Sequence, residues 1–270
     1  MSPERALNVV VTTTADEVEI ASDYLWRLGA SAVEERSVGE VVELRAALGD
    51  DESLLQSLLA ELAITWRLEW VDLSVTETWR QFASPVEVSD TLRVVPAWVD
   101  AGTDTARRTI LVEPGPTFGL GNHPTTLACL RVLERNVKHG DRVLDVGTGS
   151  GVLAAAAAMF GASTCRGIDI NPASPAVALA NAALNGVADR VTFGIETLQG
   201  ERAPYDIVVA NILAPTLIEL SAELCRLTGR LLVLSGLLED RYEHVVAAMQ
   251  GLRLTSVERV DGWVALCLER

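Results

Sequence analysis

The sequence predicts a small ferredoxin-like α+β domain followed by an α/β domain with a mostly parallel, seven-stranded type of sheet. Two observations predict this fold class. Over residues 1–75, strand and helix patterns follow the order βαββαβ, which is that of a split-βαβ domain. Over residues 109–270, strand and helix patterns alternate, which is typical of a parallel sheet with helices on both faces.

The first domain, residues 1–75, begins with a β-rich run and a helix. Thr14 and Glu17 fit a capping box at the start of that helix, and Gly29 fits a stop at its end. The predicted elements are a strand at 8–12, a helix over 18–28, strands at 32–36 and 41–46, a helix over 52–63 and a strand at 66–75. Many functions use this fold, so the fold alone predicts no activity.

A connector is predicted over residues 76–108. It contains Trp79, Phe82 and Trp98 and two prolines, Pro85 and Pro96. We expect its aromatic side chains to pack between the two domains.

The second domain, residues 109–270, contains the longer series of alternating elements. Strands are predicted at 110–112, 142–146, 163–170, 191–194, 206–210, 230–235, 252–260 and 263–268, and helices over 124–137, 151–160, 173–184, 215–227 and 240–249. The turn Asp261-Gly262 separates the last two strands, so we expect them to pair antiparallel at one edge of the sheet.

Composition excludes several classes of protein. The formal net charge of −15 over 270 residues argues against a protein that coats nucleic acid, because phosphate binding needs clustered Lys and Arg. It is compatible with a basic protein partner or simply with acidic solubility. Lys138 is the only lysine, so no phosphate-binding P-loop is present and a Schiff-base mechanism is not predicted.

The four cysteines, Cys129, Cys165, Cys225 and Cys267, are too far apart in sequence for a zinc knuckle or a redox pair. Their apolar surroundings indicate free thiols in a reducing compartment. The first residues lack a signal-peptide pattern, and the Ala-rich stretch 152–162 is too short to span a bilayer. We therefore expect a soluble, cytoplasmic protein without a metal site.

The most informative motif is the glycine-rich turn from Asp145 to Gly151. It follows a predicted strand and opens a predicted helix, with glycines at Gly147, Gly149 and Gly151. Such glycines let the backbone approach a ligand closely, and the helix N-terminus offers N–H groups to an anion. A nicotinamide-binding turn has its third glycine one residue later, at the position of Val152. The spacing favours S-adenosylmethionine, whose carboxylate is a smaller anion than a pyrophosphate.

Asp169 ends the next predicted strand, about 20 residues after this turn. In a Rossmann-like domain this is the place of a carboxylate that binds both ribose hydroxyls. The alternative is a helix cap before Pro172, a role that Asn171 fits better.

Asn211 ends a buried-looking strand, and ligands of open parallel sheets lie beyond the carboxyl ends of strands. Its amide oxygen can accept a hydrogen bond from an amine and orient the nitrogen lone pair toward a methyl donor. The alternative is an N-cap for the helix that follows, and residue type alone does not decide between them.

The stretch from Phe118 to Thr126 reads Phe-Gly-Leu-Gly-Asn-His-Pro-Thr-Thr and precedes a predicted helix. Its glycines and proline indicate a tight loop able to cover a ligand. His123 fits a base, a positioning group or a capped loop residue, and we place the structural role first.

This loop, together with Asn211-Ile-Leu-Ala214 and the glycine turn, resembles the ribosomal-protein lysine methyltransferases of the PrmA family, which modify protein eleven of the large ribosomal subunit. The resemblance implies a ferredoxin-like domain that recognises the protein substrate, a flexible connector and a C-terminal catalytic domain. It also implies that Phe118, His123 and Thr126 lie near the cofactor and that Asn211 lies at the acceptor site. The chain departs from the family pattern at Leu120 and Asn122, where Thr is usual.

These inferences predict an S-adenosylmethionine-dependent protein-lysine N-methyltransferase, with Asn211 and His123 as catalytic residues. The expected cofactor-binding residues are Phe118, Thr126, Asp145, Gly147, Gly149, Gly151, Asp169 and Asn211. The expected partner is a basic ribosomal protein, without direct binding to nucleic acid or membrane. The alternatives are a small-molecule N-methyltransferase and a non-catalytic docking module that binds S-adenosylmethionine.

Overall fold

The computed structural model describes residues 5–14, 17–28, 30, 33–39, 41–48, 52–59, 65–72, 83–102, 106–113 and 121–270. The chain divides into two compact units, Met1–Ala83 and Ser84–Arg270. Within the described residues, no helix is long and apolar enough to cross a membrane.

The first unit is a four-stranded antiparallel sheet with two helices. Its elements are β1 (Arg5–Thr13), α1 (Val18–Arg27), β2 (Val33–Val38), β3 (Val41–Ala47), α2 (Glu52–Leu59) and β4 (Thr65–Asp72), and the strand order is β2-β3-β1-β4. Alternate residues of β1, Leu7, Val9 and Val11, are buried in one core with Leu25 of α1 and Leu59 of α2. Alternate residues of a strand point to the same face, so these three side chains of β1 lie on the face that the helices cover, and Val10 between them is buried as well. The predicted βαββαβ order is confirmed.

The predicted capping box is wrong. Helix α1 begins at Val18, its N-cap is Glu17, and no side chain caps it. The Glu17 N–H donates to the backbone oxygen of Thr14 at 3.2 Å, while the Thr14 hydroxyl donates to the Glu17 carboxylate at 3.4 Å. A backbone turn therefore occupies the amide that the capping box needs. The predicted stop at Gly29 lies outside the described residues.

The second unit contains a seven-stranded sheet and six α-helices among its described residues. Its elements are β5 (Val86–Ser89), β6 (Leu92–Pro96), β7 (Arg108–Val112), α3 (Pro124–Asn136), β8 (Arg142–Val146), α4 (Val152–Phe160), β9 (Thr164–Ile168), α5 (Ser174–Leu184), β10 (Val191–Gly194), β11 (Tyr205–Asn211), α6 (Ala214–Glu219), α7 (Ser221–Leu227), β12 (Thr228–Leu238), α8 (Glu243–Ala248), β13 (Arg253–Val260) and β14 (Trp263–Glu269).

The large sheet has the strand order β10-β9-β8-β11-β12-β14-β13. Strands β8 to β12 pair in parallel, and β14 pairs antiparallel with both β12 and β13. The predicted mostly parallel sheet and its antiparallel edge hairpin are confirmed. Asp261 and Gly262 in the hairpin turn have φ angles of 48° and 81°, as a two-residue turn with two left-handed positions requires.

A second, three-stranded sheet has the order β5-β6-β7. Strands β5 and β6 lie inside residues 76–108, for which the sequence predicts a connector, and both belong to the second unit. All five residues of β6 are buried. Trp79 and Phe82 lie outside the described residues.

Candidate active site

The candidate site lies where the strand order of the large sheet reverses. Strands β9 and β10 lie on one side of β8, and β11 and β12 lie on the other. Connections leave β8 in one direction and β11 in the other, and the carboxyl ends of strands at such a reversal are where open α/β sheets bind ligands. The glycine turn follows β8, Asp169 follows β9, and Asn211 is the last residue of β11.

The turn after β8 depends on its glycines. Gly147, Gly149 and Gly151 have φ angles of 71°, 51° and 77°, a region that side chains with a Cβ rarely adopt. A Cβ on Gly147 would lie 2.4 Å from Ile212 Cγ2, and one on Gly151 would lie 2.6 Å from the Cβ of Ala178 in α5. The turn is therefore packed between Ile212, which follows β11, and α5, so that a side chain at Gly147 or Gly151 would collide with a neighbour.

Asp145 lies beneath the turn and is 1% exposed. Its Oδ2 accepts hydrogen bonds from the Thr148 hydroxyl at 2.7 Å and the Ala154 N–H at 3.1 Å, whereas its Oδ1 is buried and has no partner. Burial, aided by the nearby charge of Asp169, raises the pKa of Asp145 to about 7, against the hydrogen bonds from Thr148 and Ala154.

Asp169 is tied to the glycine turn. Its Oδ2 accepts a hydrogen bond from Gly149 N–H at 2.7 Å, and its Oδ1 accepts one from Asn171 N–H at 2.9 Å. Each carboxylate oxygen has a further lone pair for a ligand hydroxyl. The helix-cap alternative is wrong for this residue, because the N-cap of α5 is Ala173, whose N–H donates to the side chain of Asn171 at 2.9 Å.

Two exposed isoleucines lie next to Asp169, and the sequence analysis missed them. Ile170 follows Asp169 and is 72% exposed, and Ile195 follows β10 and is 60% exposed. The two strand ends are joined, since Asp169 N–H donates to Gly194 O at 3.1 Å. A large apolar residue shortly after the end of each of these two strands is the sequence signal that could have identified them.

The structure brings Asn211 and Thr126 together. Asn211 Nδ2 donates to Thr126 Oγ1 at 3.5 Å, and Thr126 is buried at the start of α3. Val146 pairs with Ala210 in the sheet, so Asn211 lies beside the glycine turn. The alternative in which Asn211 caps α6 is wrong, because the N-cap of that helix is Leu213.

His123 is the N-cap of α3. Its Nδ1 accepts a hydrogen bond from Thr125 N–H at 3.3 Å and lies 2.8 Å from Thr125 Oγ1, and its ring meets that of Trp263 edge-on at 5.1 Å. Burial lowers the pKa of His123, which favours the neutral ring that an Nδ1 acceptor requires. Phe118 and Leu120 lie outside the described residues, and Asn122 is exposed.

Asn181 in α5 was not singled out as a site residue in the sequence analysis. Its side chain is 1% exposed and bonds both to Glu113, directly after β7, and to the Ser150 oxygen in the glycine turn. An asparagine at the buried face of an amphipathic helix is the signal that could have found it.

Comparison with known proteins identifies the family. The family model described as "Ribosomal protein L11 methyltransferase (PrmA)" matches residues 40–270. The chain belongs to this family. Its second unit accordingly has the Rossmann-like fold of these methyltransferases.

Individual relatives agree with the family. Ribosomal protein L11 methyltransferases of Bacillus cereus and Bacillus cytotoxicus are each 37% identical over 194 residues, which is 70% of this chain and 62% of theirs. The alignment thus spans less than two thirds of the length of these curated relatives. The crystal structure of a ribosomal protein L11 methylase from Lactobacillus delbrueckii subsp. bulgaricus matches with a TM-score of 0.63 and 30% identity, over 69% of this chain and 97% of that one.

Proposed function

We propose that this member of the PrmA family is an S-adenosylmethionine-dependent protein-lysine N-methyltransferase that acts on ribosomal protein L11. The observation that carries the proposal is the meeting of three groups at the reversal point of the sheet: the glycine turn, the Asp169 carboxylate bound to it and the Asn211–Thr126 pair. The first two fit a donor and the third fits an acceptor.

The amino-acid end of S-adenosylmethionine fits the glycine turn. Gly147 and Gly151 let the turn keep its left-handed conformation and pack closely, since a Cβ there would meet Ile212 or Ala178. The first N–H groups of a helix lack partners within it, so the start of α4 suits the carboxylate of the donor. The buried Asp145 Oδ1 without a partner leaves an acceptor beneath the turn.

The nucleoside end fits the neighbouring strand ends. Asp169 has lone pairs for the two ribose hydroxyls beyond those used by Gly149 and Asn171. Ile170 and Ile195, both largely exposed, offer apolar surface to the faces of a purine ring. When bound, S-adenosylmethionine supplies a methyl group already activated on a sulfonium, so the chain has to align the acceptor and exclude water.

Asn211 is the proposed acceptor-binding residue. Among the described residues, its side chain bonds only through Nδ2 to Thr126, which leaves its amide oxygen to accept a hydrogen bond from the substrate amine. That bond orients the nitrogen lone pair. A lysine must first lose a proton, which we assign to solvent. His123 is the cap of α3 and holds Thr126 in place. We also propose a direct catalytic role for His123 and a contact between Phe118 and the cofactor.

The proposed substrate is a basic ribosomal protein, met in the cytoplasm and recognised by the first unit. The net charge of −15 favours association with a basic protein through complementary potentials, and it disfavours binding to nucleic acid. The family assignment and the ferredoxin-like strand order of the first unit support this choice.

The test is to incubate the protein with methyl-labelled S-adenosylmethionine and an extract, with its ribosomal proteins retained, from cells that lack this activity. We expect label on lysines of ribosomal protein L11, located by mass spectrometry of peptides. Label only on small molecules would favour a small-molecule N-methyltransferase. Donor binding without any label would favour a docking module.

A further inference from the structure

The side chain of Asn181 in α5 bonds to the backbone of the glycine turn. Its Nδ2 donates to Ser150 O at 2.8 Å and to Glu113 O at 2.8 Å, while its Oδ1 accepts from Glu113 N–H at 2.8 Å. Both N–H groups and the carbonyl oxygen of the amide are therefore used. One buried side chain thus connects the turn to the residue that follows β7.

The turn needs such a hydrogen bond because glycine has little intrinsic preference for one backbone conformation. Gly151 has a φ of 77°, yet glycine occupies negative φ about as readily. The Ser150–Gly151 peptide is held at both ends: Ser150 O accepts from Asn181, and Gly151 N–H donates to Thr148 O at 2.8 Å. Ala178, one helical turn before Asn181, packs where a Gly151 Cβ would lie.

Asn185, the C-cap of α5, provides a natural comparison one turn beyond Asn181. Its Oδ1 accepts from Leu111 N–H at 2.8 Å, and its Nδ2 donates to Leu111 O at 2.7 Å and to Asn181 O at 2.8 Å. Both asparagines therefore bond the edge of β7 in the same way. Among the described residues, Asn181 bonds to the glycine turn and Asn185 does not.

We propose that Asn181 is a positioning residue for the methyl donor. Its side chain holds the Ser150 carbonyl next to the end of β7 and thereby fixes the orientation of the Ser150–Gly151 peptide. The proposal rests on the proposed function, since it assumes that the turn binds S-adenosylmethionine. Loss of the bond lets this peptide rotate, so that the N–H groups at the start of α4 no longer meet the donor in one fixed arrangement.

The matched variants are Asn181→Asp and Asn185→Asp. Each replaces an amide by a carboxyl of the same shape, and each removes two N–H donors from two backbone oxygens. We expect Asn181→Asp to lose more thermal stability than Asn185→Asp, because Asn181 is 1% exposed and Asn185 is only partly buried, so binding is measured at a temperature at which both variants are folded. With S-adenosylhomocysteine as the calorimetric probe, we expect Asn181→Asp to raise Kd about tenfold, as the loss of one buried hydrogen bond predicts, and Asn185→Asp to change Kd by about twofold at most.

Amide exchange supplies a second measurement. We expect the Gly151 amide to exchange faster in Asn181→Asp than in Asn185→Asp, since only the first variant frees the Ser150–Gly151 peptide. If the carboxyl variants fail to fold, Asn181→Ala and Asn185→Ala give the same comparison without an added charge.

Equal changes in Kd and in Gly151 exchange for the two members of a pair would overturn the positioning role. A failure of the unaltered chain to bind S-adenosylhomocysteine is a different result, because it would overturn the proposed function and the positioning role with it.

Discussion

At the scale of single residues, Asp145 is an acid kept in an unfavourable environment. It is 1% exposed, one of its oxygens has no partner, and burial raises its pKa to about 7. An unfolded chain releases the same proton near the ordinary value of 3.8. The folded state therefore binds more protons than the unfolded state between these two values.

This difference predicts that the free energy of unfolding falls as the pH rises from about 4 to 7, with a contribution from Asp145 of up to about 1.4 kcal/mol per pH unit. Asp145→Asn removes the titrating group, so the variant should lose less stability than the unaltered protein across this range. Urea unfolding at several pH values measures both curves. If the difference between them stays flat, the prediction is wrong.

Asp169 carries a prediction about donor affinity. Asp169→Ala removes the carboxylate that accepts from Gly149 N–H and that we assign to the ribose hydroxyls. Hydrogen bonds to charged groups contribute about 1.5–3 kcal/mol each, so the Kd for S-adenosylhomocysteine should rise by about tenfold or more. Calorimetry tests this, with the exposed Asp189→Ala as the control. An unchanged Kd for Asp169→Ala would count against the ribose contact.

Asn211 carries a prediction about turnover. Asn211→Ala removes the amide oxygen proposed to orient the amine, but it leaves the glycine turn and Asp169 in place. We expect kcat to fall by about a hundredfold or more, as positioning contributions to catalysis predict, while the Kd for the donor changes by about threefold at most. Steady-state kinetics on L11 and calorimetry separate the two effects. Unchanged turnover would remove Asn211 from the acceptor site.

At the scale of elements, the glycine turn works through packing as well as through backbone conformation. Gly151→Ala places a Cβ 2.6 Å from Ala178 Cβ and 2.9 Å from Ala178 Cα, at a φ of 77°. Because one of these contacts is backbone, the variant must shift α4 away from α5. Gly186→Ala has a similar φ of 66° but meets no atom within 4 Å.

Comparing Gly151→Ala with Gly186→Ala therefore separates the cost of the steric clash from the cost of the left-handed backbone conformation. Both variants should lose about 1 kcal/mol from the left-handed conformation, and Gly151→Ala should lose several kcal/mol more, as overpacking predicts, together with donor binding. Thermal unfolding and calorimetry measure these changes. Similar losses in the two variants would mean that the contact with Ala178 has no additional effect.

Two elements illustrate what sequence patterns miss. The predicted helix over 215–227 is two helices, α6 and α7, which meet at Leu220 with φ −87° and ψ 0°. Leu217, Leu224 and Leu227 are all buried, so the apolar spacing runs across the break, and no glycine or proline adjoins Leu220 to signal it.

Strands β5 and β6 are the other case. Residues 92–96 alternate too little to predict a strand, because all five are buried, including Arg93. Arg93 reaches the Thr109 hydroxyl at 2.9 Å and the Ala101 oxygen at 2.6 Å. A buried arginine is stable only when its N–H groups have hydrogen-bond partners. The partners of Arg93 are distant from it in sequence, so a pattern of neighbouring residues does not reveal them.

At the scale of the whole molecule, each unit has its own core. Among the described residues, the buried cluster of the first unit consists of residues from 7–59, and the two clusters of the second unit consist of residues from 88–268. A unit with a complete core is expected to fold alone.

We therefore expect residues 84–270 to fold and to bind S-adenosylhomocysteine with a Kd within about twofold of that of the full chain, but to lose most activity on L11. Calorimetry and the labelling assay test the two parts, and a free amine serves as the control acceptor. Full activity on L11 without the first unit would contradict its role in recognition. Activity retained on free amines alone would favour the small-molecule alternative.

Local sequence determined the order of most elements, the glycine turn and its strand–helix setting, and the family resemblance. Each depends on residues close together in the chain: the period of apolar residues, glycines where φ must be positive, and a polar residue at a strand end. Tertiary structure decided which of these residues meet. Asn211 contacts Thr126, and Asn181 bonds to both Glu113 and Ser150, so these contacts join segments far apart in sequence. Asp145 is likewise buried by segments that lie far from it in sequence. Hydrogen bonds and desolvation act between neighbours in space, and only the folded sheet brings those neighbours together.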